Sequence, residues 1–432
     1  MRKILPFLLA LAMLMATSYA SAESPVKSVK SVSEVYGDGA KVSFIVLQYA
    51  DAIDAASVSV NSFSVDGKTI SRIYTNDQAE RARNGKSGKY VIIELKNTVS
   101  LTPDFGPDRQ KDDNGSADEK AGQDNGGPAG GIVAGNKPQR EENPFPYNVT
   151  VHQLKAIKTI KGKSILDIGS MTETSHLTLI ADDFKQFVYK DPKTGVALRY
   201  NIYIPNNYNT NTKYPLVLFM HDASGANQVD NYTLLQGNGA TVWASPKEQA
   251  KHPCIVVAPQ YDEIVVDDNF TATSSAESTI DLLEYLKTQY SIDADRIYTT
   301  GQSMGCMLSY LLMSTHPDEF AAGYLVAGQW DPTVIAPMAK KPLWLVSCTG
   351  DAKSTSGAET ALKLWSSLGA KTASAKWPFD TTRAARVQEV DSLRNTPATI
   401  RYSQLQGGWH NGTWRVAYTF EGIRDWLFQQ VK

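Results

Sequence analysis

The sequence predicts an all-β sandwich of immunoglobulin type followed by an α/β unit with a doubly wound, mostly parallel sheet. Three observations carry this. Over 26–184, short β-rich runs alternate with turn residues and show little helical periodicity. From residue 185 to 432, continuous apolar runs alternate with amphipathic helical stretches, the pattern of a sheet covered by helices on both faces. Within that second half, Ile297-Tyr298-Thr299-Thr300 runs through Gly301-Gln302-Ser303-Met304-Gly305 straight into an apolar helical stretch. A strand, a G-x-S-x-G turn and a helix in succession are what a nucleophile elbow requires.

Taken in order, the chain opens with the three parts of an export signal over 1–22. Arg2 and Lys3 give the positive start, Ile4 to Ala16 the apolar centre, and Ala20-Ser21-Ala22 the small-residue cleavage site. The apolar centre falls short of the roughly 20 residues that span a bilayer. The expectation is therefore a secreted or periplasmic protein starting near Glu23, without a membrane anchor. The front half, 26–184, contains strand-like runs at Val42–Leu47, Tyr90–Leu95, Val149–Val151 and His176–Ile180, with a short helical turn near Ala50–Ala56. It is interrupted at about 102–143 by a stretch rich in Gly, Asp, Asn, Lys and Glu, which buries too little to offset its ordering entropy and is expected to be mobile. Asp112-Asp113-Asn114-Gly115 fails the EF-hand template because Ala121 stands where the bidentate Glu belongs, so no metal is expected.

In the second half, Leu198–Ile204, Tyr214–Met220, Cys254–Ala258, Phe320–Val326, Pro342–Val346 and Thr399–Leu405 read as strands. Ser274–Tyr290 reads as a helix with a capping box at Ser274 and Glu277 and a stripe of Ile280, Leu283, Leu286 and Tyr290. Ala358–Leu368 and a single closing helix, Trp414–Phe428, complete the pattern.

Chemistry in such sheets collects at the carboxyl ends of the strands. Ser303 stands on the turn at the end of the elbow strand, at a helix N-terminus that favours developing negative charge. A serine hydroxyl needs a base, most often histidine. Of the six histidines, only His410, in the loop after the last strand, is both at a strand's carboxyl end and late enough for the order serine, acid, histidine. Asp351, closing the Pro342–Val346 run, is the candidate acid; it could equally cap the following helix, and Asp331 is the second candidate. The oxyanion needs two backbone donors: the Met304 N–H, and one from the turn after Tyr214–Met220, assigned to Ala223 with Asp222 as alternative.

Composition narrows the partners. With 43 basic and 45 acidic residues, the chain offers no electrostatic case for nucleic acid or an anionic membrane surface. Three cysteines, Cys254, Cys306 and Cys348, lie in or beside apolar runs and read as buried small hydrophobes rather than a disulfide framework. There is no cofactor motif and no Cys/His zinc spacing, so no cofactor is expected.

With these residues in place, the second half resembles the α/β-hydrolases of the esterase and polyhydroxybutyrate-depolymerase-like group, near the feruloyl and acetylxylan esterases. The resemblance is carried by Asp293-Ala294-Asp295-Arg296-Ile297-Tyr298 leading into Gly301–Gly305, and by Pro342–Asp351. The front half resembles the immunoglobulin-like domain that precedes the hydrolase in some secreted bacterial esterases. The family's oxyanion turn has His-Gly where this chain has His221-Asp222, which predicts a less comfortable backbone at Asp222. The resemblance implies a serine carboxylesterase acting on a small or polysaccharide-linked ester. A prolyl-oligopeptidase-like peptidase shares the sheet and the residue order. A carbohydrate-binding or adhesion protein with an inert hydrolase half is the third reading, motivated by the sandwich and by Trp330, Trp377, Trp409 and Trp414. Of these rings, Trp330 and Trp409 are the candidate substrate contacts. The sandwich itself is open to three roles: shading the active-site mouth, homo-oligomerisation or polymer binding.

Overall fold

The computed structural model describes residues 24–101, 132–142, 144–166 and 168–432. The expected export signal, the 112–115 run and most of the expected loop lie outside the described residues. In the front half, Val26–Tyr36 and Gly39–Ile53 pair as a hairpin turning at Gly39, whose φ of 108° suits only glycine. Gly88–Leu95 and Ile70–Asn76 continue the sheet antiparallel. A second sheet of Phe63–Val65, Thr150–Gln153 and Ser170–Thr172 packs on it. Alternation sorts the side chains: Ile45 and Leu47 meet Phe63, Val65 and Val151 between the sheets, while Phe44 and Val46 join Tyr74 and Ile92 on the other face. The sandwich is not wholly antiparallel: Ser175–Thr178 pairs parallel with Val26–Tyr36. That strand follows Ser170–Thr172 of the other sheet after two residues, one of which, Thr174, bonds both the N–H and the carbonyl of Val29.

The second half is a nine-stranded sheet in the order Lys185–Lys190, Ala197–Tyr203, Ile255–Gln260, Tyr214–Met220, Ile292–Gln302, Ala322–Val326, Leu343–Cys348, Ile400–Gln406, Thr372–Pro378. The first two strands run antiparallel, and every pair from Ile255–Gln260 onward is parallel. Each central strand feeds two cores. Leu216, Leu218 and Met220 face helices Ser274–Gln289, Met304–Thr315 and Ala352–Ser367, whereas Val217 and Phe219 face Arg383–Arg394 and Glu421–Leu427.

Three expectations are corrected. The closing helix is two helices, His410–Ala417 and Glu421–Leu427, broken where the buried Tyr418 turns in against Phe219 and Tyr324. Arg424 caps the break on the Tyr418 carbonyl while pairing with buried Glu248 at 2.8 Å. The capping box at Ser274 does not form: Thr273 is the N-cap, and Ser275 donates to Glu263. Finally, residues 132–142, expected to be mobile, lie along the second half. Gly135 N–H reaches the Ile264 carbonyl at 2.8 Å, the Ile264 N–H reaches Asn136 at 2.8 Å, and Asn227 and Gln228 bond the carbonyls of Pro138 and Gln139. Backbone groups with partners lose the reason to stay in water.

The two halves also meet at the first hairpin. Val35 and Ala40 pack on the second half, and a Cβ on Gly37 would stand 2.2 Å from the Arg415 carbonyl oxygen.

Candidate active site

Strand Ile292–Gln302 ends at the elbow and helix Met304–Thr315 begins one residue later. Ser303 between them has φ 52° and ψ −117°, a conformation side-chain-bearing residues avoid. The glycines on either side are steric necessities. A Cβ on Gly301 would stand 2.4 Å from the Gly305 carbonyl carbon, and one on Gly305 would stand 2.0 Å from the Met220 oxygen. Strand, helix and the neighbouring strand close to backbone contact there, and the serine is carried on the crest.

His410 enters from the last parallel strand. Gly407 and Gly408, with φ 86° and 74°, turn the chain off Ile400–Gln406 and place His410 at the start of helix His410–Ala417. Its Nε2 lies 2.8 Å from Ser303 Oγ and its Nδ1 lies 2.6 Å from Asp351 Oδ2. Asp351 performs both tasks considered for it, because its oxygens divide them. Oδ1 caps helix Ala352–Ser367 on the Ser354 N–H at 3.2 Å, and Oδ2 faces His410. Asp331 instead accepts from Thr333 within its own turn. Its pKa is lowered by those hydrogen bonds.

The turn after Tyr214–Met220 runs beside the elbow, with Met220 paired to Gly301. His221 is fully buried, and burial lowers its pKa, keeping the imidazole neutral. Its Nε2 accepts the Tyr261 N–H at 3.1 Å, so Nδ1 carries the proton and donates to the Asp222 carbonyl at 2.7 Å. The Ala223 N–H, on the opposite edge of the same trans peptide, therefore points away from the imidazole. Met304 opens its helix, so its N–H is one that the helix cannot use. Asp222 does not have the uncomfortable backbone expected of it. With φ −74° and ψ 174° it is extended, and its carboxylate is held by Ser224 and by Gln302 Nε2 at 2.7 Å. The glycine preference disappears because no positive φ is needed.

The tryptophans are placed differently from the expectation. Trp330 is only 5% exposed, and Trp377 and Trp414 are also buried. Trp409 lies between Phe379 and the Arg415 guanidinium. The ring standing in the open beside Trp330 is Phe270, at 5.4 Å and 69° to it, which sequence reading did not single out. Its signal, a phenylalanine in a polar turn, is too common to notice without the backbone. A cavity of about 720 Å3 lies elsewhere, between Arg383–Arg394 and Glu421–Leu427, and none of Ser303, Asp351 and His410 lines it. Among the described residues Glu248, His252 and Asp425 cluster closely enough to share an ion, but Arg424 and Lys251 already pair with the two carboxylates. All three cysteines are buried and free; burial pushes the Cys348 thiol up to about 12.

Sheet, elbow and strand-end residues define an α/β-hydrolase. Residues 192–421 match the family described as "Putative esterase", and residues 28–166 match the "Esterase Ig-like N-terminal domain". The chain belongs to that esterase family and carries its immunoglobulin-like front domain. It is similar to the solved structure of a thermostable esterase, at 26% identity and a TM-score of 0.73 over 94% of this chain and 100% of that one. Among curated proteins it is similar to feruloyl esterase B of Talaromyces stipitatus, 27% identical over 31% of this chain and 36% of the relative. Acetylxylan esterase A of Aspergillus ficuum is 24% identical over 32% of this chain and 45% of its own. The chain thus spans less than half the length of these curated relatives.

Proposed function

We propose that this chain is an exported serine carboxylesterase that works through an acyl-enzyme on Ser303, His410 and Asp351. One observation carries the reading: the unbroken hydrogen-bond series from Ser303 Oγ through His410 to Asp351, at 2.8 and 2.6 Å. His410 takes the serine proton as Oγ attacks the ester carbonyl, then returns it to the departing alcohol. Water, deprotonated by the same imidazole, releases the acid. Such proton transfer contributes about 10²- to 10⁴-fold. Asp351 holds the tautomer that leaves Nε2 free to accept and stabilises the cation that follows. The N–H groups of Met304 and Ala223 meet the developing oxyanion, each removed donor costing about 3–4 kcal/mol of transition-state stabilisation. The similarity to feruloyl and acetylxylan esterases supports acyl groups on plant polysaccharide as the substrate class, and the 1–22 segment supports secretion or a periplasmic location.

The test is direct. The purified protein should hydrolyse p-nitrophenyl acetate or butyrate and be labelled by a fluorophosphonate. Ser303→Ala should lose both while unfolding at the wild-type temperature. Turnover surviving in the alanine variant would refute the assignment, and cleavage of peptide amides in preference to esters would shift it to a peptidase.

A further inference from the structure

Five non-glycine residues have positive φ among the described residues: Ile180, Asn227, Phe270, Ser303 and Ala327. Backbone strain in bulky residues concentrates at working sites. Ser303 is the elbow, and Ala327 follows directly on the strand beside it, Ala322–Val326. Phe270, at φ 62° with a side chain 39% exposed, fills the left-handed position of the tight turn Asp267–Thr271, its N–H on the Asp267 carbonyl, a place where glycine or asparagine would sit without strain. A phenylalanine costs stability in that conformation, and its ring stays half in water.

The loop that carries it is nonetheless fixed from several sides. The Asp267 carboxylate, itself buried, accepts the N–H groups of Asn269 and Thr271 on Oδ1 and the Ala134 N–H on Oδ2. Val266 and Ala272 bridge across the turn, and Ile264 pairs with Gly135 and Asn136 of the 132–142 segment. Asp268 pairs with Lys353, two residues beyond Asp351. The Val265 N–H meets Met304 Sδ at 3.4 Å, directly after the proposed nucleophile. The Phe270 ring rests edge-on against Trp330, four residues past strand Ala322–Val326. One loop is thereby tied to the elements bearing Ser303 and Asp351, and it holds an open aromatic face at that rim.

We infer that Phe270 is a specificity-determining residue, its ring receiving the planar apolar group next to the scissile ester, and that residues 132–142 act as the positioning segment for its loop. This rests on the esterase reading above and says which part of the substrate the rim selects. Trp330, buried beneath, sets the tilt of the ring through the edge-to-face contact.

Two matched substrate pairs test it on the full chain, with kcat/KM followed by acid release. Methyl cinnamate against methyl butyrate probes the acyl side; phenyl acetate against ethyl acetate probes the alcohol side. Phe270→Gly removes the ring and also relieves the positive φ. The aromatic-to-aliphatic ratio of at least one pair should fall about tenfold or more, the effect of losing a buried aromatic contact, through KM, with the unfolding temperature maintained. Asp267→Ala should lower the same ratio while also lowering the unfolding temperature. Phe187→Ala, on the far edge strand, should leave both ratios as in the wild type. Ratios unchanged in both pairs for Phe270→Gly, or an equal loss on all four esters with a lowered unfolding temperature, would overturn the inference while leaving the esterase reading intact. A wild-type protein that cleaves none of the four would overturn both.

Discussion

Asp351 shows how two demands share one side chain. Asn at that position retains a cap for helix Ala352–Ser367, since asparagine caps as well as aspartate. It cannot hold the imidazole as an ion does. We therefore expect Asp351→Asn to lower kcat by about 10⁴, the size of the loss when such an acid becomes an amide, with an unfolding temperature near wild type in a thermal melt. The positions of Ser303, His410 and Asp351 at strand ends were legible in the sequence because glycine spacing and chain order leave few alternatives. The tryptophan contacts were not, since a ring in an apolar run and a ring in a pocket have the same one-letter signature. Asp222 misled for a related reason: sequence gives residue type, while strain depends on a φ that only the fold decides.

Whole elements depend on a few backbone approaches. Gly305→Ala would drive a methyl carbon into the Met220 oxygen, a contact of 2.0 Å before relaxation. The expected cost is about 3 kcal/mol or more, visible as a lowered denaturation midpoint together with loss of activity, because the elbow itself must move. At the break between the last two helices, Arg424 is buried against Glu248. Arg424→Met should destabilise by about 3–5 kcal/mol, since it leaves a buried carboxylate without its cation, and adding Glu248→Gln should recover part of the loss. Continuous apolar strands such as Tyr214–Met220 announced themselves, seven buried positions in a row. Edge strand Thr372–Pro378 and helix Arg383–Arg394 did not, because only Trp377 of the one and Val390 and Leu393 of the other are buried and their apolar signal is thin. The helix break at Tyr418 was hidden for the opposite reason. The turn is as apolar as the helices it separates.

At the scale of the molecule, acid should loosen the packing of helix Glu421–Leu427. Burial alone would raise the Asp425 pKa, but the hydrogen bond with His252 and the nearby Lys251 charge outweigh it and hold the carboxyl below its usual value. Its stabilising contribution is therefore present above the unfolded-state value, about 3.9, and is lost as pH falls through the lower folded value. The unfolding temperature of Asp425→Asn should accordingly change less than that of the wild type between about pH 5 and 3. The alternation of strand and helix made the second half legible; the contact between halves was not, because Gly37 meets a residue nearly four hundred positions away. Gly37→Val should push on Arg415, on the helix headed by His410, and reduce turnover more than it reduces the unfolding temperature. The 132–142 segment has a consequence for recombination among such enzymes. A chimera that grafts a foreign front domain onto this hydrolase inherits the nucleophile and its partners intact but leaves Ile264, Asn227 and Gln228 facing a vacated track. Donor and acceptor stay a matched set only where residues 132–142 come from the same parent as Ile264, Asn227 and Gln228.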